Sequence, residues 1–283
     1  MDNRIPVESL TAQIESLWAC QDQLFQTISR DKDWSHKHGA DWTFADVPFH
    51  LAYINRDLII RPIKLGKDLP AAQQRSFKSP ADVAVYNSGR FAERPATQTV
   101  EESQAELEAS RSEIRQLLSE MSDADTDRPA WFPFMGGMWA NVRAPLQFCQ
   151  NHDWSEFMQL RIHMGLNEPV PIPEVTSGYL MGMLNMLMPR RLNTKVVNGK
   201  HFAAVYAFTD PGVTPVTIKV LGNTAKVLQG NYDNPDLVLT QSAETFEKTL
   251  RGIQKFPDAI QSGAIQVNNF ESLTTFGQLF PME

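Results

Sequence analysis

The sequence has few cysteines, fewer basic than acidic residues, and no long apolar run. Two cysteines, Cys20 and Cys149, are too few for a disulfide framework and are typical of a reducing cytoplasm. The formal net charge of −7 argues against nucleic acid as a partner, because phosphate binding needs clustered lysines and arginines. The longest apolar run, residues 179–189, is interrupted by Gly182 and Asn185 and is too short to span a membrane. We therefore expect a cytoplasmic protein without a transmembrane segment.

The length and the proline distribution predict two domains. A chain of 283 residues with 42% hydrophobic and 21% charged residues is typical of globular proteins and is long for a single core. Three prolines between residues 169 and 173 mark a boundary. We predict one domain over residues 1–167, a linker over residues 168–174 and a second domain over residues 175–283.

The first domain is predicted to be an all-α four-helix bundle. Apolar residues recur at helical spacing in four segments, residues 8–29, 43–58, 100–121 and 143–164. Ser9 or Thr11 is a candidate cap for the first helix, and Thr43 with Asp46 for the second. Residues 61–99, with Pro70, Pro80 and Pro95 among them, are predicted to be a long irregular connection.

Three side chains of metal-ligand type are expected to meet in this bundle. His152 and Glu156 are four residues apart, so they lie on one face of the fourth helix. His50 lies among apolar residues of the second helix, and helices packed about 8–10 Å apart would bring the three together. Two imidazoles and one carboxylate suit divalent zinc, iron or nickel. The alternative is a buried core histidine beside a solvated glutamate; His36 and His38, in a polar segment, are expected to be solvated.

Three further residues of the fourth helix are candidates to support this site. Gln159 and Asp153 could orient a ligating imidazole, and Gln159 is the better placed because Asp153 points about 100° away from His152 around the helix. Cys149 lies one turn before His152 and is either a fourth contact or a small buried apolar group.

An aromatic segment precedes the fourth helix. It has two open interpretations, an apolar cap over the end of the bundle or the wall of a cofactor pocket above a metal. The candidate pocket residues are Trp131, Phe134, Met138 and Trp139.

The second domain is predicted to be of the α+β class, with a mainly antiparallel five-stranded sheet covered by helices. Strands are predicted over residues 201–209, 214–221, 225–229, 237–240 and 264–267. Helices are predicted over the methionine-rich residues 178–189, after Ser242, and over residues 256–261 and 270–280.

The first domain resembles the DinB-like superfamily, which includes the thiol-dependent maleylpyruvate isomerases. The resemblance covers about residues 8–167 and rests on Trp42, His50-Leu51 and His152-x-x-x-Glu156-x-x-Gln159-Leu160. It implies an up-and-down bundle in which His50, His152 and Glu156 hold a divalent metal, with a low-molecular-weight thiol as a further cofactor. The family's fourth helix commonly carries His with His or Glu with His, so a carboxylate in the second place departs from the pattern.

The second domain resembles the type-2 sterol carrier protein domain over about residues 175–281. The resemblance rests on residues 216–220, 234–240 and 263–267. It implies an apolar tunnel for a lipid or acyl chain. The alternative is a solid core packed by Met181, Met186, Phe246 and Phe276.

Two classes of function follow. The first is a metal-dependent transferase, isomerase or hydrolase that acts on a small-molecule substrate, with the second domain supplying an apolar-ligand site or a homodimer contact. The second is a non-catalytic lipid or sterol carrier. The sequence contains no phosphate-binding glycine loop, no dinucleotide-binding fingerprint and no Ser-His-Asp arrangement.

Overall fold

A computed structural model describes residues 5–31, 33–38, 42–166, 168–197, 199 and 201–281. The chain divides into two compact units, Met1–His163 and Met164–Glu283. The predicted domain limits at residues 1, 167 and 283 lie outside the described residues and stay predictions.

The first unit is mostly helical, but the predicted all-α class is wrong in detail because two two-stranded sheets accompany the helices. Its α-helices are α1 (Val7–Asp31), α2 (Val47–Ile54), α3 (Arg61–Leu65), α4 (Pro80–Glu93), α5 (Val100–Ser119) and α6 (Arg143–His163). A π-helical segment, Asn55–Ile60, joins α2 to α3, and short 3-10 turns cover Phe44–Asp46, Gly66–Asp68, Ala71–Gln73 and Ala124–Asp127. The core forms where α1 packs against α6 and α2 packs against α5. It buries apolar residues of all four helices, among them Ile14, Leu51, Ile114 and Leu146.

Two local predictions for this unit are wrong. Residues 61–99 are not irregular throughout, because α4 lies within them and begins at a capping box in which Ser79 accepts a hydrogen bond from the Asp82 amide. None of the fourteen residues of α4 is fully buried, and only Val83, Tyr86 and Phe91 pack partly buried against the core, so its apolar face is narrow. Helix α1 is not capped by Ser9 or Thr11, because the amide of Val7 at its start donates to Asp123 Oδ1 at 2.7 Å. The predicted Thr43–Asp46 capping box is confirmed.

Two small hairpins complete the first unit. Strands β1 (Lys37–His38) and β2 (Trp42–Thr43) are antiparallel, with His38 opposite Trp42. Strands β3 (Pro129–Phe132) and β4 (Met138–Asn141) are antiparallel, with Trp131 opposite Trp139. The β1–β2 hairpin buries His38 inside the unit. The polar sequence around His38 did not indicate this burial.

The second unit consists of a five-stranded sheet and helices. Its elements are α7 (Pro173–Arg191), α8 (Thr194–Val197), β5 (His201–Phe208), β6 (Val216–Leu221), β7 (Thr224–Gln229), β8 (Leu237–Gln241), α9 (Ala243–Leu250), α10 (Phe256–Gln261), β9 (Gln266–Val267) and α11 (Phe270–Leu279). The strand order is β7-β6-β5-β8-β9. The predicted number of strands is confirmed, but the sheet is mixed, because β8 crosses to the free edge of β5 and pairs with it in parallel while the other three pairs are antiparallel.

The core of the second unit only partly matches the predicted solid core. Phe246 and Phe276 are buried, but Met186 is 43% exposed and Met181 is half-buried. Helix α7 also continues through Pro189, beyond its predicted end. In the part of the chain that the structure describes, no helix has the length and apolar character needed to cross a bilayer.

Candidate metal centre

The structure brings His50, His152 and Glu156 together. One ligand-type atom from each lies within 4.8 Å of the others. Nε2 of His50 is 3.0 Å from Nε2 of His152 and 3.9 Å from Oε1 of Glu156. His50 and Glu156 are buried, whereas the His152 side chain is 15% exposed, so the cluster has one face toward solvent.

Tyr53 fixes the orientation and the tautomer of the His50 ring. The Tyr53 hydroxyl donates to Asn87 Oδ1 at 2.9 Å and lies 2.6 Å from Nδ1 of His50. Because its single proton is given to Asn87, the hydroxyl accepts from Nδ1–H of His50. Nε2 of His50 is therefore unprotonated and points its lone pair into the cluster. Burial keeps this ring neutral, lowering the pKa of His50 to about 3.

Asp153 lies beside His152. Oδ1 of Asp153 is 3.5 Å from Nδ1 of His152, and Oδ2 accepts a hydrogen bond from Trp18 Nε1 at 2.7 Å. Gln159 instead donates to Oε1 of Glu156 at 3.4 Å. The expectation that Gln159 is better placed to orient an imidazole is therefore wrong. Neighbouring helix positions are about 100° apart, but the Asp153 side chain still brings Oδ1 to 3.5 Å from Nδ1 of His152.

His38 is the residue that sequence reasoning missed. Its Nε2 donates to Oε2 of Glu156 at 3.0 Å, and its side chain is 2% exposed rather than solvated. Burial alone would raise the pKa of Glu156, but the hydrogen bond from His38 and the electrostatic influence of the neighbouring imidazoles hold it well below its usual range. Glu156 is therefore an ionised carboxylate inside the unit.

These donors fit a divalent metal ion. Zinc lies about 2.0–2.2 Å from imidazole nitrogen and carboxylate oxygen, so ligand atoms of one ion are about 3–4 Å apart. The separations from His50 fall in this range. Nδ1 of His152 is buried without a hydrogen-bond partner, and it lies on the side of Asp153, where a metal-ligating histidine usually meets its supporting carboxylate.

A comparison with protein-family models matches residues 13–157 to the DinB superfamily. The match spans half of the chain and contains His50, His152 and Glu156. The chain belongs to the DinB superfamily.

Solved structures similar to this DinB protein extend the match over both units. The mycothiol-dependent maleylpyruvate isomerase has a TM-score of 0.54 at 12% identity, covering 93% of each chain, and at this identity shows the fold alone. Sterol carrier protein 2 from Yarrowia lipolytica has a TM-score of 0.28 at 16% identity, covering 38% of this chain and 94% of that one. The family match agrees with the predicted DinB-like first domain, and the sterol-carrier-like second domain stays a prediction. No curated protein sequence matches the chain.

The candidate pocket residues of this DinB protein differ in how close they lie to the cluster of His50, His152 and Glu156. The ring of Phe148 is 5.3 Å from that of His152, and Phe134 packs on Phe148 at 4.7 Å. Trp131 and Trp139 stack edge to face on each other in the β3–β4 hairpin, where Trp139 is 42% and Met138 43% exposed. Phe134 thus connects to the cluster through Phe148, and a pocket wall formed by these residues stays a prediction.

Cys149 is fully buried in the DinB unit. Its Sγ donates to Asn55 Oδ1 at 3.9 Å, and burial raises the pKa of the thiol well above its usual value. A thiol held in that state is a poor metal ligand. This arrangement agrees with the interpretation of Cys149 as a small buried group.

Proposed function

We propose that this protein is a metal-dependent enzyme acting on a small molecule, with His50, His152 and Glu156 as ligands of zinc, iron or nickel. The observation that carries the proposal is the convergence of one atom from each of these residues within 4.8 Å. Two imidazoles and one carboxylate leave coordination positions open for a substrate. A divalent ion bound in this way lowers the pKa of a coordinated water or thiol and polarises a carbonyl group.

The surrounding residues prepare the site before any ion binds. The hydrogen bond to Tyr53 presents the lone pair of His50 Nε2, so this ring needs no deprotonation at neutral pH. Glu156 is already ionised and supplies one negative charge to offset that of the cation. The partial exposure of His152 gives a small substrate a direction of approach.

We further propose a thiol-dependent transferase or isomerase reaction, with hydrolysis as the alternative. This proposal draws on the similarity in fold to the mycothiol-dependent maleylpyruvate isomerase. We also propose that the helices of the bundle run up and down in sequence order, that the protein is cytoplasmic and that it forms a homodimer.

The test begins with the metal content of the purified chain, measured by mass spectrometry. We expect one divalent ion per chain in the wild type and its loss in His50→Ala and His152→Ala. His36→Ala is the matched control, because His36 is exposed and lies outside the cluster. A wild type that binds none of the three metals, or unchanged metal content in His152→Ala, would contradict the proposal.

The thiol requirement is tested on the Co²⁺-substituted protein. Mycothiol or glutathione that reaches the ion is expected to change its visible absorption, and the loaded protein is then assayed with mycothiol and maleylpyruvate. An unchanged spectrum at millimolar thiol would exclude the thiol-dependent reaction and leave hydrolysis.

The second candidate function is lipid binding by the second unit. The methionine side chains of α7 favour it, because Met186 is 43% exposed and Met181 is half-buried instead of filling the core. Soft methionine side chains suit a deformable apolar wall. Mass spectrometry of organic extracts is expected to detect a co-purified lipid or acyl chain, and extracts free of lipid together with no uptake of a fluorescent fatty acid would contradict this candidate.

A further inference from the structure

The Glu156 carboxylate divides its two oxygens between different partners. Oε1 faces His50 at 3.9 Å and accepts from Gln159 at 3.4 Å, whereas Oε2 accepts from His38 Nε2 at 3.0 Å. The bond to Oε2 is the shorter and is charge-assisted, because the acceptor is ionised. One oxygen is thus committed to His38, and the other is directed toward the histidine pair.

The His38 ring is itself held firmly in place. Trp42, opposite it across the β1–β2 hairpin, stacks on the ring at a centroid distance of 6.4 Å. Phe44 lies 6.2 Å away and His163, at the end of α6, lies 5.5 Å away, both edge to face. Three aromatic neighbours and near-complete burial leave the ring little freedom to rotate.

Among the described residues, His38 does not belong to the group whose ligand atoms lie within 4.8 Å of one another. His38 contacts the cluster through Oε2 of Glu156, the oxygen that does not face His50. His38 is therefore placed to position a metal ligand and not to bind the ion itself.

We propose that His38 is a positioning residue that makes Glu156 a one-oxygen ligand, by holding Oε2 so that only Oε1 is presented beside His50 and His152. This inference rests on the proposed metal site. A carboxylate free to rotate would offer both oxygens to an ion and occupy a position that a substrate needs. By holding Oε2, the hairpin preserves an open position for the substrate.

The test compares two variants that separate the hydrogen bond from the packing of the ring. His38→Phe keeps a ring of similar size but lacks the N–H donor. His38→Gln loses the ring, but its amide nitrogen reaches about as far as Nε2 and can donate to Oε2. His36→Phe, at an exposed position two residues away, is the control.

Metal affinity is measured by competition with a chelator, and ligand geometry from the visible spectrum of the Co²⁺ form. We expect His38→Phe to weaken Zn²⁺ binding about 10–100-fold, the usual effect of losing a group that orients a metal ligand. Its Co²⁺ spectrum is expected to shift toward a higher coordination number, with lower absorption intensity. His38→Gln is expected to recover most of the affinity and the wild-type spectrum.

The outcomes distinguish this inference from the proposal on which it depends. If the wild-type protein binds neither Zn²⁺ nor Co²⁺, the metal site itself is wrong. If the wild type binds both and His38→Phe keeps the same affinity and spectrum, the inference alone is overturned. A purely structural role predicts that His38→Gln, which leaves a space beside Trp42, is at least as impaired as His38→Phe; that result would also overturn it, with thermal melts of the metal-free proteins reporting folding.

Discussion

Nδ1 of His50 lies 2.6 Å from the hydroxyl oxygen of Tyr53, so a residue one helical turn away sets which ring nitrogen faces the cluster. Tyr53→Phe removes this acceptor while keeping the ring. We expect the affinity for Zn²⁺ to fall about 10-fold or more, because the preferred tautomer of His50 is lost. Tyr86→Phe is the control, because Tyr86 is a partly buried tyrosine that donates to Asp57. Equal affinities in the two variants, measured by chelator competition, would contradict the assigned role of Tyr53.

Asp153 provides the second prediction. In Asp153→Asn the carbonyl oxygen can still accept from Trp18, while the new amide group replaces the carboxylate oxygen 3.5 Å from Nδ1 of His152. An amide N–H at that place favours the tautomer in which Nε2 of His152 is protonated and unable to bind a metal. We expect weaker Zn²⁺ binding with little change in the melting temperature of the metal-free protein. Asp22→Asn, which changes a half-exposed aspartate of α1, is the control. Affinity equal to that of the wild type would show that Asp153 does not orient His152.

Tyr206 in β5 predicts how stability depends on alkaline pH. Burial raises the pKa of Tyr206 above its ordinary value of 10, so the folded chain keeps a proton that the unfolded chain releases. Stability is therefore fully present below pH 10 and falls as the pH rises above it, by at most about 1.4 kcal/mol per pH unit for one tyrosine. Burial raises the pKa of Tyr53 and Tyr86 in the same direction.

Urea unfolding between pH 8 and 11 tests this dependence. Tyr206→Phe is expected to unfold with a shallower loss of stability above pH 10 than the wild type. Tyr232→Phe, which changes an exposed tyrosine, is expected to follow the wild type. Parallel curves for the wild type and Tyr206→Phe would contradict the prediction.

Asp210 predicts a large loss of stability in the second unit. Asp210 is 7% exposed, and its carboxylate accepts from the amides of Val170 at 3.3 Å and Ala243 at 2.7 Å, the second of which is at the start of α9. Asp210→Ala leaves both donors unpaired and removes a negative charge from a helix N-terminus, so we expect a loss of about 2–4 kcal/mol. Asp233→Ala, at an exposed loop position, is expected to change the free energy of unfolding by less than about 0.5 kcal/mol. Equal losses in the two variants would contradict the role of Asp210.

Local patterns predicted much of this fold. Helical periodicity located α1, α2, α5 and α6 of the first unit, and the i, i+4 spacing placed His152 and Glu156 on one face. The convergence with His50 also needed a helix pairing, which the resemblance to a family supplied. Cap residues such as Ser242, which accepts from the Thr245 amide, act within a few positions and are visible in the sequence.

The features that were missed depend on distant contacts. His38 and Glu156 are separated by 118 positions, and a histidine in a polar segment carries no mark of the hairpin that buries it. Helix α4 has no buried residue, and the parallel pairing of β8 with β5 follows from the path of the chain rather than from side-chain alternation.

The separation of His50 and His152 by 102 positions couples any bound cation to folding. The denatured ensemble holds those imidazoles far apart on average, so an ion recognises the native state almost exclusively. Mass action then adds about 2.7 kcal/mol to the unfolding free energy at a free ion concentration one hundred times the dissociation constant. If the proposed metal site is occupied in a cell, the lifetime of this polypeptide would therefore follow the supply of that metal.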